Sequence, residues 1–158
     1  MKPIDPAAAE ESPDQILARA RQRALEQARP YFGDVTPMEA WQLQRIGAAV
    51  IVDVRTLAEW SYVGHIDGTP LVEWRSFGAQ QVNPEFIAQL NEQVDPNQPV
   101  MFLCRSGVRS QGAAQLAAQS GYVQAMNILE GFEGDLDGQG HRGELGGWRK
   151  TGLPWVQT

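Results

Sequence analysis

The sequence has few of the residues that bind metals or form cross-links. It has one cysteine, Cys104, and only two histidines in 158 residues. A single cysteine excludes an internal disulfide, a CxxC redox pair and any zinc or iron–sulfur site built from several cysteines. His65 and His141 are far apart along the chain, so we expect no metal site. Cys104 is therefore either an inert core residue or a thiol that acts without a second cysteine.

Long apolar runs and an excess of positive charge are also missing. No apolar run approaches membrane-spanning length, and the first residues lack the apolar segment of a secretory signal. The 13 Lys and Arg residues are outnumbered by 19 Asp and Glu, which gives a formal net charge of −6. Nucleic acids and anionic membranes are bound through a basic face, so we expect neither as a partner. A free cysteine suits a reducing compartment, and we therefore predict a cytoplasmic protein.

The residues that are present predict one folded domain with an extension. Hydrophobic residues make up 42% of the chain, enough for a core, and the length fits a single domain. We predict a flexible N-terminus over residues 1–11, a helical extension over 12–33 and the main domain over 34–158. Ser12 is predicted to cap the helix of the extension, which docks on the domain or on a partner. Its predicted apolar face consists of Ile16, Leu17, Ala20, Ala24, Leu25 and Ala28.

The main domain alternates between apolar runs and amphipathic segments. Strands are predicted at residues 49–54, 71–72, 99–103 and 126–129. Helices are predicted to begin at Thr36, Thr56, Pro84 and Val108. This alternation implies crossover connections, and hence an α/β fold whose central parallel sheet is flanked by helices on both faces.

A polar loop follows the strand at 99–103. Cys104 stands at the carboxyl end of this strand, and Arg105-Ser106-Gly107-Val108-Arg109-Ser110 leads into a helix. Ligands of parallel sheets bind at such ends. Gly107 allows the loop N–H groups to point inward, and the helix adds its positive end. Because such a cradle favours the thiolate, we predict that Cys104 is a reactive nucleophile and not an inert core residue.

Three segments resemble the signatures of the rhodanese superfamily of sulfurtransferases. The first joins VDVR at residues 52–55 to EW at 59–60 and GHIDG at 64–68, and the second is the loop at 104–110. The third, at 146–155, contains GGW followed by GLPW. The segments have the order and spacing of the family and cover the chain roughly from residue 34 to 155. Each is weak alone, but together they are specific.

The resemblance implies a single rhodanese-like domain that transfers sulfur. By analogy, Cys104 attacks the sulfane sulfur of a small-molecule donor such as thiosulfate and becomes a persulfide, with no other cofactor. The sulfur then leaves to an external thiol, a protein acceptor or cyanide, because no second cysteine is present to accept it. Covalent catalysis in two steps implies ping-pong kinetics.

Two further regions have open interpretations. Asp53 and Arg55 stand at the end of the neighbouring strand, where they either support the site or form a buried structural ion pair. Residues 130–144 make the chain longer than a minimal version of the fold. They are either a loop over the site or a solvated insertion, and we expect the insertion.

The sequence departs from the family pattern at two charged positions. Family members that use thiosulfate often carry Arg or Lys two places after the nucleophile, where this chain has Ser106. They can also carry Arg six places after the aspartate, where this chain has Glu59. We expect Glu59, like Asp53 and Arg55, to be a residue that supports the site. Arg105 and Arg109 are then the charges expected to attract an anionic donor.

Two other functions are weighed against sulfur transfer. Cysteine phosphatases, some of which share the rhodanese fold, space their Cys and Arg as Cys-x5-Arg. Cys104 and Arg109 form Cys-x4-Arg, and the smaller loop suits one extra sulfur better than a phosphate. Some rhodanese-like domains are non-catalytic interaction or regulatory modules, but these often lack the cysteine. We therefore predict a sulfurtransferase.

Overall fold

A computed structural model of the chain describes residues 11–76 and 78–157. The segment predicted to be flexible, residues 1–11, lies outside the described residues except for its last position. The helices are α1 (Pro13–Glu26), α2 (Pro37–Arg45), α3 (Leu57–Tyr62), α4 (Phe86–Gln93), α5 (Arg109–Gln119) and α6 (Trp148–Thr151). The strands are β1 (Gly33–Val35), β2 (Val50–Asp53), β3 (Val100–Leu103) and β4 (Ala125–Ile128).

The four strands form one parallel sheet in the order β1-β4-β3-β2. Val52 lies beside Phe102, which lies beside Asn127 on its other side. This register brings the carboxyl ends of β2, β3 and β4 to the same edge of the sheet. The loop after β3 is therefore flanked by residues that follow β2 and by residues of β4.

Helices cover both faces of the sheet, as predicted. Because side chains alternate along a strand, Val52 and Phe102 pack into one apolar cluster, with α4 and α5. Ile51 and Met101 pack into the other, with residues of α1 and α2. The predicted α/β class and parallel sheet are confirmed.

The strand predictions were wrong at two places. β1 was missed because it has only three residues, among them a glycine and an aspartate, and so shows no apolar run. Residues 71–72 do not form a strand: Leu71 makes one isolated bridge, to Asp53. Beyond that bridge the chain follows β2 irregularly, with Trp74 N–H donating to the carbonyl of Val54 at 3.0 Å.

Helix α1 packs closely on the sheet. Ile16, Ala20 and Ala24 are fully buried, but the predicted apolar face was too wide, because Leu25 is 57% exposed and Ala28 lies exposed beyond the end of the helix. A Cβ atom on Gly33 would lie 3.0 Å from Ala20, so the glycine allows helix and strand to approach.

None of the helices within residues 11–76 and 78–157 combines the length and the apolar character needed to cross a bilayer.

Candidate active site

The loop after β3 bends back on the sulfur of Cys104. Gly107 has a φ of +99°, in the left-handed region that favours glycine, and its N–H donates to Cys104 Sγ at 3.1 Å. A Cβ atom at Gly107 would lie 3.3 Å from the backbone nitrogen of Glu130. Cys104 is only 1% exposed, and α5 begins at Arg109 directly after the loop. The strand, the glycine and the helix are thus arranged as the sequence predicts.

Ser110 provides the second polar contact of the sulfur. It lies fully buried in the first turn of α5, with its Oγ 3.2 Å from Cys104 Sγ. The Ser110 hydroxyl donates to Asn127 Oδ1 in the middle of β4. The sequence reasoning missed Asn127, although a lone amide inside an apolar strand is a usable signal, because buried polar side chains require partners.

The other loop residues are more exposed. Arg105 is exposed, Val108 is 70% exposed and Ser106 is partly buried. Of the predicted loop residues, the structure brings Gly107 and Ser110 into hydrogen-bond contact with the sulfur.

Arg109 forms an ion pair with Glu59. Its two terminal nitrogens contact the two carboxylate oxygens of Glu59 at 2.7 and 2.8 Å. Burial alone would raise the pKa of the Glu59 carboxyl, but the hydrogen bonds and charge of Arg109 outweigh it and lower this pKa to about 2. Arg109 is therefore paired within the protein, which leaves less of its charge for the anionic donor that it is expected to attract.

Because of this ion pair, the free energy of unfolding should depend on pH in the acidic range. Because the folded-state pKa of Glu59 is about 2 and its usual value is 4.5, the ionised carboxylate stabilises the fold fully above pH 4.5. That contribution is lost as the pH falls from 4.5 towards 2. In urea unfolding at several pH values, wild type should therefore be more stable than Glu59→Gln at pH 7, and the difference should shrink below pH 4.5.

Glu85→Gln is the matched control for this series. Glu85 is exposed and has no ion pair among the described residues, so the difference from wild type should change much less with pH. A Glu59→Gln difference that stays constant from pH 7 to pH 2 would show that the ion pair does not stabilise the fold.

Asp53 and Arg55 form a second ion pair that is completely buried. Both side chains are 0% exposed, and Arg55 Nη2 contacts Asp53 Oδ2 at 2.7 Å. Arg55 also donates to the carbonyl of Gly64 at 2.7 Å, and its guanidinium lies 4.3 Å from the ring centroid of Phe132. The contacts described for this pair do not include the sulfur of Cys104. Of the two interpretations left open, the geometry favours the structural one.

The segment after β4 supports the loop from the other side. Phe132 N–H donates to the carbonyl of Cys104 at 2.8 Å, and Glu133 N–H donates to that of Arg105 at 2.9 Å. A Cβ atom on Gly131 would lie 2.5 Å from the Cys104 carbonyl oxygen, so no other residue fits this approach. The expectation of a solvated insertion is therefore wrong for residues 130–134, whose hydrogen bonds to the loop the composition does not reveal. It holds for residues 135–144, which are mostly exposed.

A cavity of about 320 Å³ opens beside the loop. Its lining includes Arg105, Arg109 and Glu59, and also Arg75, which the sequence reasoning missed because it belongs to no motif. Arg75 and Arg105 are exposed, and neither has an ion-pair partner in the part of the chain that the structure describes. They are the cations of this cavity that remain available to a ligand.

Residues 11–76 and 78–157 contain few side chains of the metal-binding types close to one another. No group of three or more His, Cys, Asp or Glu side chains there could hold a metal ion.

Comparisons with known proteins identify a family model and several relatives that match most of the chain. The family model for the rhodanese-like domain matches residues 36–136. Protein RP600 of Rickettsia prowazekii is 38% identical over 110 residues, which cover 68% of this chain and 82% of the relative. The thiosulfate sulfurtransferase GlpE of Actinobacillus succinogenes is 27% identical over 123 residues, which cover 78% of this chain and 89% of the relative.

A solved structure also matches most of the chain. The crystal structure of Rv0390 from M. tuberculosis has 47% sequence identity and a TM-score of 0.73. The match covers 81% of this chain and 99% of the other.

Proposed function

The chain belongs to the rhodanese-like domain family, and we propose that it is a sulfurtransferase in which Cys104 carries the transferred sulfur as a persulfide. The observation that carries this proposal is the pair of polar contacts to Cys104 Sγ, from the Gly107 N–H at 3.1 Å and Ser110 Oγ at 3.2 Å. Groups of this kind stabilise a negatively charged sulfur. Relatives named thiosulfate sulfurtransferase support the same chemistry.

The proposed reaction has two displacement steps. The Cys104 thiolate attacks the outer sulfur of thiosulfate; a bond forms between Sγ and that sulfur, and sulfite leaves with the electron pair of the broken sulfur–sulfur bond. A thiolate or cyanide then attacks the outer sulfur of the persulfide, and Cys104 regains its thiolate. Each nucleophile attacks in its charged form, so no side chain has to remove a proton during either step.

The donor is proposed to bind through the two available cations. Glu59 neutralises Arg109, which leaves Arg75 and Arg105 to meet a dianion in the cavity. The overall charge of −6 opposes such a ligand, so local charges have to supply the attraction. An anionic donor such as thiosulfate fits this arrangement.

Both alternatives have less support. A phosphatase loop of the Cys-x5-Arg kind uses its arginine to hold phosphate, whereas Arg109 here is held on both nitrogens by Glu59. A purely non-catalytic module does not require a cysteine with two polar contacts.

Steady-state kinetics with thiosulfate and a thiol test the proposal. Parallel double-reciprocal lines support it, and Cys104-dependent hydrolysis of an aryl phosphate without any sulfur transfer contradicts it.

Changes of charge in the cavity should alter the KM for thiosulfate. Arg75→Ala should raise the KM about two- to five-fold, because one exposed ionic contact is worth up to about 1 kcal/mol. Ser106→Lys should lower it by a similar factor, since it adds a charge to the loop. Both effects should weaken at high salt. The kcat should change little, because these charges act on binding.

Lys150→Ala is the matched control. Lys150 is exposed on α6 and does not line the cavity. Lys150→Ala therefore removes one positive charge, as Arg75→Ala does, without changing the site. Equal KM values for wild type, Arg75→Ala and Ser106→Lys would contradict the assigned donor site.

A further inference from the structure

A buried line of polar groups leads from the reactive sulfur into the sheet. Cys104 Sγ contacts Ser110 Oγ, and the Ser110 hydroxyl contacts the amide of Asn127. All three side chains are at most 1% exposed. The line is thus shielded from bulk solvent, and its polar groups depend on nearby protein groups for their hydrogen bonds.

The direction of these hydrogen bonds depends on whether Cys104 is ionised. Ser110 has one hydroxyl proton, which it donates to Asn127 Oδ1. In that arrangement Cys104 can donate its thiol proton to Ser110 Oγ, at 3.2 Å. A thiolate has no proton to donate. It keeps the hydrogen bond from the Gly107 N–H, but Ser110 Oγ would direct a lone pair at it from 3.2 Å unless the Ser110 proton turns towards the sulfur.

The amide of Asn127 can supply the compensating donor. Its Nδ2 atom is buried and has no hydrogen-bond partner, and a buried donor without a partner is costly. A half-turn of the planar amide exchanges Oδ1 and Nδ2 within nearly the same volume. Nδ2 then faces Ser110 Oγ, and Oδ1 faces the neighbouring Tyr31 hydroxyl. The Tyr31 proton, which now goes to Asp34 at 2.7 Å, can turn to Oδ1, because Asp34 keeps its ion pair with Arg29 at 3.6 Å.

We propose that Ser110 donates a hydrogen bond to the Cys104 sulfur whenever this sulfur is negatively charged, and that Asn127 is a positioning residue that turns the Ser110 proton towards it. In the thiol form the hydrogen bonds run from Cys104 to Ser110 to Asn127. In the thiolate form they run from Asn127 to Ser110 to Cys104, after Cys104 has lost its proton to solvent. The S–H bond of Cys104 is the one covalent bond that breaks, with its proton taken up by water, and the other changes are rotations of hydrogen-bonding groups. The inference rests on the proposed function only in taking Cys104 as the reactive group.

Other charges surround the sulfur and have to be held constant in any test. The titratable and charged groups on the elements packed around it are Arg105, Arg109, Glu59, Asp53, Arg55, Glu130, Tyr31 and Asp34. Ser110→Ala leaves every one of these groups in place, and a substitution of Asn127 by aspartate adds a single carboxyl to them. Their contributions therefore largely cancel when variant and wild type are compared.

The test is the pH dependence of Cys104 alkylation by iodoacetamide in the full chain. The thiolate is the form that reacts, so the midpoint of the rate profile reports the ionisation of Cys104. Ser110→Ala should move this midpoint up by about one pH unit, the typical value of a hydrogen bond to a charged group. Asn127→Asp should move it further, because a carboxylate cannot donate to Ser110 and adds a negative charge.

Two matched controls isolate the effect. Ser120→Ala removes a hydroxyl at the other end of α5, where Ser120 Oγ donates to the carbonyl of Leu116. Asn91→Asp makes the same amide-to-carboxylate change at a residue that accepts a hydrogen bond from Tyr122. Both controls should have the midpoint of wild type.

The double variant tests whether Asn127 acts through Ser110. Its shift should be smaller than the sum of the two single shifts, because Asn127 has no proton to direct once the hydroxyl is gone. Strictly additive shifts overturn the role given to Asn127, and single-variant midpoints that coincide with wild type overturn the whole proposal. Ser110→Ala removes a single oxygen atom, so it tests the hydrogen bond from Ser110 to the sulfur even if Asn127→Asp does not fold. Alkylation uses no sulfur donor, so failure here is distinct from a failure to transfer sulfur.

Discussion

Replacing Cys104 with serine should abolish sulfur transfer from thiosulfate while the protein stays folded. The serine hydroxyl remains protonated near neutral pH and cannot form a persulfide, and the chain has no second cysteine to take its place. We expect the turnover to fall on the order of 10³-fold or more, to the rate of the uncatalysed reaction. The measurement is the steady-state release of sulfite with a thiol as the acceptor.

The stability of this variant separates loss of chemistry from loss of fold. Serine is nearly isosteric with cysteine, and Gly107 and Ser110 can still contact its oxygen. The free energy of unfolding should therefore stay within about 1–2 kcal/mol of wild type. Adding Ser120→Cys to the Cys104→Ser protein restores a cysteine at an exposed position just after the end of α5. Turnover that persists in Cys104→Ser, or returns with this second change, would contradict the assignment of Cys104.

The largest loss of stability is expected from Arg55→Met. This change leaves the carboxylate of Asp53 completely buried without its partner, and it removes the bond to the carbonyl of Gly64. Breaking one side of a buried ion pair typically costs about 3–5 kcal/mol. Urea unfolding at neutral pH measures this cost. A loss of that size would confirm that the pair holds the end of β2 to the turn at Gly64.

The double variant Asp53→Asn with Arg55→Met tests the cause. Removing both charges leaves no unpaired carboxylate, and asparagine can still accept the hydrogen bond from the backbone N–H of residue 55. The double variant should therefore be more stable than Arg55→Met alone. Equal stabilities would mean that lost packing, and not an unpaired charge, explains the effect.

Arg149→Met provides a matched control on the same aromatic ring. Arg149 lies 5.4 Å from the ring centroid of Phe132, but its ion pair with Glu133, at 3.7 Å, is partly exposed. Exposed pairs contribute at most about 1 kcal/mol, so this variant should lose much less stability than Arg55→Met. A similar loss in both variants would show that burial does not set the cost.

The elements that could be predicted from the sequence have local causes. Thr36 and Thr56 both form capping boxes with the glutamate three residues later. Four consecutive residues are therefore enough to predict where α2 and α3 begin. The apolar run of β3 and its polar continuation into α5 likewise require no distant partner to be recognised. β1 was missed because its short, partly polar sequence becomes a strand only by pairing with β4 and packing against α1.

The candidate site divides in the same way. Cys104, Gly107 and Ser110 could be placed because they lie within seven consecutive residues between a strand and a helix. The ion pair joins Arg109 to Glu59, which is 50 positions away along the chain. The sequence shows both charges, but no pattern in it predicts that they contact each other. Arg75 and Asn127 reach the site through the folded chain. The lone amide in an apolar strand marks Asn127 as a buried polar residue, but no local pattern places either residue beside the loop.

The central claim is that Cys104 carries sulfur, and mass spectrometry of the protein after incubation with thiosulfate tests it most directly. Wild type should gain the mass of one sulfur atom on the peptide that contains Cys104, and this gain should disappear when a thiol or cyanide is added. Cys104→Ser should show no gain. An unmodified Cys104 after incubation with thiosulfate and other sulfane donors, in a protein that is folded and that iodoacetamide still alkylates, would contradict the account.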